Sequence, residues 1–181
     1  MRKIILTLVF RQTEKRLKKD LTVTHTIWYT MYIMKKQTII FDVDGTIADV
    51  EHRRHHVSQR PTDWKSFKEQ TVFDTPVEWV CDIAKRHIAL GDDVAFFSAR
   101  NEEQRGVTEA QIEEWIGKGH KGLFLRPDGD FRSDVEFKSE LADKFESLGG
   151  KIDIVFDDRN SVVEMWRERG TTVVQVAEGD F

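Results

Sequence analysis

Two aspartates, Asp42 and Asp44, stand two residues apart in Asp42-Val43-Asp44-Gly45-Thr46, directly behind the apolar run Thr38-Ile39-Ile40-Phe41. An apolar, β-branched run bounded by glycine reads as a buried strand, and residues two apart on an extended chain point to the same side. Open parallel sheets hold their ligands at the C-terminal edge of the strands. Like charges placed there repel unless a cation lies between them, which implies a hard, oxygen-loving ion such as Mg²⁺. Other segments carry polar residues suited to phosphoryl chemistry: Ser98-Ala99-Arg100, Asp157-Asp158-Arg159, and a cluster of Arg132, Asp134 and Lys138. Lys138 lies one helical turn beyond Asp134, so the two share a helix face. Each of these signals alone is what caps and turns also use; the ordered set carries more.

The elements that would position these groups alternate from Lys36 onward. Thr38–Phe41, Asp93–Phe97, Leu123–Leu125, Ile152–Phe156 and Thr172–Val176 read as strands. A helix is expected from Thr75-Pro76, with proline at the first helical position, to just before Gly91. Thr108–Gln111 and Ser133–Glu136 read as capping boxes, opening helices to about Ile116 and to Gly149-Gly150, and Ser161–Arg169 reads as a further helix. This pattern predicts an α/β, Rossmann-like parallel sheet with helices on both faces. The polar, His/Arg-rich stretch after the first strand is expected to form a small cap insertion, about residues 49–74, within a domain spanning 34–181.

With 181 residues the chain has room for one such domain and a full core. The single cysteine, Cys81, excludes an internal disulfide, reads as a packing residue, and fits a reducing cytoplasm. No apolar stretch is long enough to span a bilayer, so no membrane partner is expected. The net charge of −4 conceals an asymmetry: residues 1–36 carry nine Lys/Arg against Glu14 and Asp20, and the remainder is correspondingly acidic. An acidic body argues against a long nucleic-acid groove. Residues 1–33 read as an atypical basic extension. Ile4–Phe10 follows Arg2-Lys3 as a signal peptide would, but charged residues replace a cleavage site. A basic arm touching nucleic acid is one reading; the preferred one is that translation starts at Met34.

The ordered set resembles the motifs of the haloacid dehalogenase superfamily of phosphatases: a D-x-D strand end, a Ser/Thr strand end, a lysine and a later acidic pair, here Asp42/Asp44, Ser98, Lys138 and Asp157/Asp158. Phe156–Arg159, Val163–Arg167, Gln175–Ala177 and Gly179–Phe181, with Ser98-Ala99-Arg100 and Arg132–Lys138, look like the 3′-phosphatase domain of bacteriophage polynucleotide kinases. The kinase half of those enzymes carries a G-x-x-x-x-G-K-[ST] loop. No such loop occurs in this sequence, so only dephosphorylation is expected.

The resemblance implies Asp42 as nucleophile, forming an aspartyl-phosphate, and Asp44 as the acid and base. It implies Mg²⁺ held by Asp42, the Asp44 carbonyl and Asp157-Asp158, with Asp158 direct and Asp157 through water. Ser98 and Lys138 would hold phosphoryl oxygens, with Lys144 a weaker competitor. Arg53, Arg100, Arg132 and Asp134 would serve the substrate. His52, His55 and His56 read as part of a solvated cap rather than a metal site. Trp64 reads as an anchor of the cap, with base stacking as the alternative; Trp79, Trp115 and Trp166 read as core.

Short insertions leave little room for a lid, which suits a terminal phosphate on a polymer. The expected substrate is a nucleic-acid 3′ end, with a separate kinase or ligase as partner. The alternatives are a nucleotide or small-ester phosphatase and a non-catalytic binding module.

Overall fold

The computed structural model describes residues 36–179; the basic N-terminal segment and the terminal Asp180-Phe181, with the expectations attached to them, lie outside the described residues. The strands are β1 (Thr38–Phe41), β2 (Ala48–Asp49), β3 (Thr75–Pro76), β4 (Asp93–Asn101), β5 (Gly122–Arg126), β6 (Ile154–Arg159) and β7 (Thr172–Gly179). The helices are α1 (Glu51–Ser58), α2 (Trp64–Glu69), α3 (Glu78–Leu90), α4 (Arg105–Trp115), α5 (Asp134–Ser147) and α6 (Asn160–Glu168).

Five strands form one parallel sheet in the order β5-β4-β1-β6-β7. The chain runs outward from β1 through β4 to β5, then crosses back to β6 on the other side of β1. The strand order therefore reverses between β1 and β6, the place where such sheets open a crevice. Register sharpens this: Phe41 lies beside both Phe96 and Phe156. Asp42 and Asp157 thus stand on neighbouring strands at the same level, with Ser98 one residue beyond the corresponding point of β4.

Alternation along β1 explains the two layers. Ile39 and Phe41 face a cluster with Val80, Cys81 and Ala84 of α3 and Ile112 of α4. Ile40 faces the other way, onto Ala142 of α5 and Val162, Met165 and Trp166 of α6. Phe41 stacks on Phe156, ring centroids 4.6 Å apart, directly beneath the acidic edge. Helix α3 stops at Gly91, whose φ of +88° suits glycine, and the Asp92 N–H closes the turn on the His87 carbonyl.

Some local expectations are corrected. Thr75-Pro76 does not open a helix. It pairs antiparallel with Ala48–Asp49 and closes the base of the cap, while the Val77 N–H donates to the Ile47 carbonyl and α3 begins at Glu78. Proline lacks the N–H an inner ladder needs but is tolerated on an edge strand as readily as at a helix start. Thr108 is not an N-cap: α4 has already begun at Arg105, and the Thr108 hydroxyl donates back to the Gln104 carbonyl. The reciprocal cap lies earlier, between Asn101 and Gln104. The capping box at Ser133 and Glu136 is present as expected. Trp166 is core, but Trp79 is 50% exposed on the outer side of α3.

Cys81 is fully buried, and burial pushes its thiol up to about 11. At pH 8 an alkylating reagent should leave native Cys81 untouched and modify it only after unfolding in urea. Equal labelling rates in both states, read by intact mass, would show that this face of the sheet is open.

Candidate active site

Asp42 follows the last residue of β1, and its N–H donates to the Phe156 carbonyl at 2.9 Å, locking the turn to β6. The chain then folds tightly on itself: the Val43 carbonyl accepts from the N–H groups of Thr46, Ile47 and Ala48. Gly45 has a φ of +81°, and a Cβ there would fall 2.1 Å from Asp158 Oδ2. Glycine is needed on both counts, as the backbone must turn left-handed and approach a carboxylate.

Asp42, Asp157 and Asp158 are all buried, and each offers an oxygen within 4.8 Å of the others. Lys138, projecting from α5 and itself only 3% exposed, donates to Asp42 Oδ1 at 2.6 Å and to Asp157 Oδ2 at 2.7 Å. One ammonium against three carboxylates leaves negative charge uncompensated, and the donors are all hard oxygens, so the cluster fits a divalent cation. Burial pushes Asp42 well above the usual carboxylate range, against the pull of Lys138. Burial and then the charge of Asp157 push Asp158 up to about 6. For Lys138, burial works against the charged form, but Asp157 and Asp42 more than offset it and the ammonium is held protonated.

Asp44 is turned to a different set of cations. Its Oδ1 accepts from Arg53 and Arg100, each at 2.8 Å. Burial raises its carboxyl, yet Arg100 and Arg53 together outweigh this and hold it below the ordinary value. Both arginines are tied from behind by Asp74, which takes two bonds from Arg53 at 2.7 Å and one from Arg100 at 2.6 Å. Arg100 also donates to Thr108 and Gln111, and the Arg53 guanidinium lies over the Phe67 ring.

These groups open into a cleft of about 650 Å³. Its lining includes Asp42, Asp44, Ser98, Arg100, Arg132, Asp134, Lys138, Asp157 and Asp158. The structure therefore brings together most of the residues expected from the sequence. Ser98 is buried there, its hydroxyl accepting from the Arg100 N–H. Arg53 differs from expectation: it is fully buried and outside the cleft lining, so it meets Asp44 rather than a ligand. Arg132 sits at the rim, held by Asp130 and Glu140, and does not join Lys138. Asp134 accepts from Arg126 and Arg159. Trp64 is 60% exposed and lines the cleft, so it is no anchor of the cap.

Sequence reasoning missed Asp74, Arg126 and Phe131. Arg126 had a usable signal, since it ends β5 at the same edge as the other site residues. Asp74 had none, because the groups that define it are distant in sequence.

The polynucleotide kinase PNKP phosphatase-domain family matches residues 36–181, and the chain belongs to that family. It is accordingly a phosphoric monoester hydrolase of the haloacid dehalogenase type. A putative bifunctional polynucleotide kinase/RNA ligase of Autographa californica nuclear polyhedrosis virus is 28% identical over 158 residues, covering 86% of this chain and 21% of the viral protein. A chain in the Pnkp1/Rnl/Hen1 RNA repair complex superposes with a TM-score of 0.66 at 26% identity, over 81% of this chain and 44% of that one. The class C acid phosphatase of Bacillus anthracis, with tungstate bound, shares the fold: its TM-score is 0.57 at 16% identity, over 81% of this chain and 69% of that one. The chain thus spans less than half the length of the first two relatives.

Removing the Asp74 carboxylate strands two buried guanidinium groups. Asp74→Ala should cost about 3–5 kcal/mol of unfolding free energy, the range for breaking a buried ion pair; an unchanged urea midpoint would refute the network's structural weight. Gly45→Ala should keep the circular dichroism spectrum while phosphatase turnover falls by about 100-fold, as expected when reacting groups are displaced by an ångström. Undiminished turnover would mean that Asp158 can move aside freely.

Proposed function

We propose that this chain is a Mg²⁺-dependent phosphatase that removes 3′-phosphates from polynucleotide ends through an aspartyl-phosphate intermediate, in nucleic-acid repair. The observation that carries the reading is Asp42 at the floor of an open cleft, with Lys138, Asp157 and Asp158 gathered around it. Asp42, Asp158 and the Asp44 carbonyl would hold the metal. Asp157 already accepts from Lys138 and from the Arg159 N–H, which favours Asp158 as the direct ligand. Bound there, the metal would supply positive charge against the phosphoryl oxygens.

Asp42 attacks phosphorus, the bond to the 3′ oxygen breaks, and water later cleaves the acyl phosphate. Lys138 lies against the attacking carboxylate and would shift its hydrogen bonds to the phosphoryl group, with Ser98 beside it. Asp44 would carry the proton to the leaving oxygen and take one from the water. Arg100 and Arg53 fix its direction and favour its ionised form, the state that the second step needs, so the proton delivered in the first step would be drawn from the monoprotonated phosphate ester. Arg126, Arg132 and Asp134 would border the substrate at the cleft rim. A kinase or ligase acting on the same ends is the expected partner, in keeping with the relatives' names.

A small-ester phosphatase is the competing reading, favoured by the acidic charge of the body. A 3′-phosphorylated oligonucleotide should be turned over far faster than its 5′-phosphorylated isomer or a 3′-mononucleotide. Equal turnover of all three would sink the polynucleotide reading. Asp42→Asn should reduce activity to background in a folded protein, and chelation should do so reversibly on adding Mg²⁺. Activity surviving Asp42→Asn would remove Asp42 as nucleophile.

A further inference from the structure

The cleft carries two exposed aromatic rings that the phosphoryl chemistry does not use. Trp64, on α2 of the cap, makes one edge contact with Phe67, at 6.0 Å and 89°, and remains 60% exposed. Phe131, on the loop between β5 and α5, is 95% exposed. That loop is ordered by its own turn. The Asp130 N–H donates to the Pro127 carbonyl, Gly129 has a φ of +79°, and the Arg132 N–H donates to Asp130. Phe131 is therefore presented by a braced segment rather than left over from a core. Both rings line the same cleft as Asp42, one from the cap and one from the sheet edge. The two sides are joined where Lys68 of the cap bonds Glu103 at 2.6 Å and the Glu103 N–H donates to Asp128 of the loop.

The cations of the rim point to the same occupant by exclusion. Lys68 is paired with Glu103, Arg126 with Asp134, and Arg132 with Asp130 at 2.6 Å. A strand held through its phosphates would have to share these cations with their carboxylates, whereas an unpaired base can lie on an aromatic ring without disturbing them. Base–aromatic stacking tolerates any sequence, since every base has a π-face.

Resting on the function proposed above, we propose that Phe131 and Trp64 form a stacking platform for the unpaired bases next to the reacting 3′-phosphate. The substrate is then a short single-stranded end held by its bases more than by its backbone. Binding through few phosphates has a further consequence, because the salt dependence of affinity scales with the number of phosphates neutralised.

The test uses the full chain and two tetranucleotides ending in a 3′-phosphate, one with all its bases and one abasic at its last two sugars. The native protein should prefer the base-bearing end in kcat/KM by about tenfold or more, the size of a lost stack. Phe131→Ala and Trp64→Ala should each erase most of that preference, chiefly through KM, and Phe131→Trp and Trp64→Phe should restore it. Trp79→Phe, exposed on α3 away from the cleft, is the control and should change nothing. The slope of log KM for the base-bearing end against log salt should be no steeper than about 1.4, the value for two phosphates on a single strand.

Equal use of the two ends, alanine variants that keep the native preference, or a steep salt slope would each overturn the platform. So would conversion of a dimer to a monomer by Phe131→Ala in analytical ultracentrifugation, which would make the rings a self-association surface. A native protein that hydrolyses 3′-mononucleotides but neither tetranucleotide would overturn the functional reading itself, and is distinguishable from failure of the platform alone.

Discussion

Three buried carboxylates within 4.8 Å of one another cannot all stay ionised without positive charge close by, and the structure around β1 and β6 depends on supplying it. Parallel register puts Asp42 and Asp157 side by side, and Asp158 follows at once. Lys138 reaches them from the first turns of α5, where the capping box at Ser133 and Glu136 fixes the helix start and therefore the height of the lysine. Moving that start by one residue would rotate Lys138 by about 100° around the helix axis. The cap of one helix is thus a determinant of the charge balance on another element.

The same turn of chain hands its two aspartates to separate cation sets. Burial, helped by the neighbouring acids and against the pull of Lys138, pushes Asp42 up; Asp44 is buried too, but two guanidiniums hold it down. Carboxylates two residues apart thereby meet different surroundings, one gathered with the acidic cluster and Lys138, the other held by Arg53 and Arg100. Asp74 has a place in this scheme although it does not line the cleft. It satisfies the far sides of both arginines, so these can be buried at full charge and point inward. Without it, the desolvation of Arg53 would have to be met by Asp44 and the weaker contacts with Phe67.

The strands and their chemical ends were legible in the sequence for a definite reason: each strand of the sheet is a short apolar run, and polar residues begin where the run stops. Ser98, Asp42 and Asp157-Asp158 could be read because they belong to those endings, and Lys138 because it lies one turn into a capped helix. Asp74 could not be read in this way, since its partners Arg53 and Arg100 lie 21 and 26 residues away along the chain and on different elements. Thr75-Pro76 and Thr108–Gln111 failed for another reason. Their local signals serve two structures equally well, and the choice was made by tertiary pairing with Ala48–Asp49 and by the earlier turn at Asn101–Gln104. Trp64 and Phe131 lie at cap and loop positions, where no periodicity separates an anchoring ring from an exposed one.

Charge that is balanced within the protein is poorly suited to choosing among phosphate esters. On the function proposed above, the floor of the cleft would recognise a phosphoryl group and little else, because Lys138, Ser98 and the acidic cluster would surround only the reacting atoms. Most of the basic side chains above it are committed to acidic neighbours, and reassigning them to a substrate would forfeit pairs already made. Discrimination between one ester and another must then come from surfaces that lose nothing when covered. Exposed aromatic rings meet that condition, since covering them releases water and costs no hydrogen bond. The open cap permits this arrangement: α1 and α2 are too short to enclose a ligand, so the rim stays accessible to a chain that continues beyond the cleft. An enclosed site would have to read the whole molecule. An open one need read only its end.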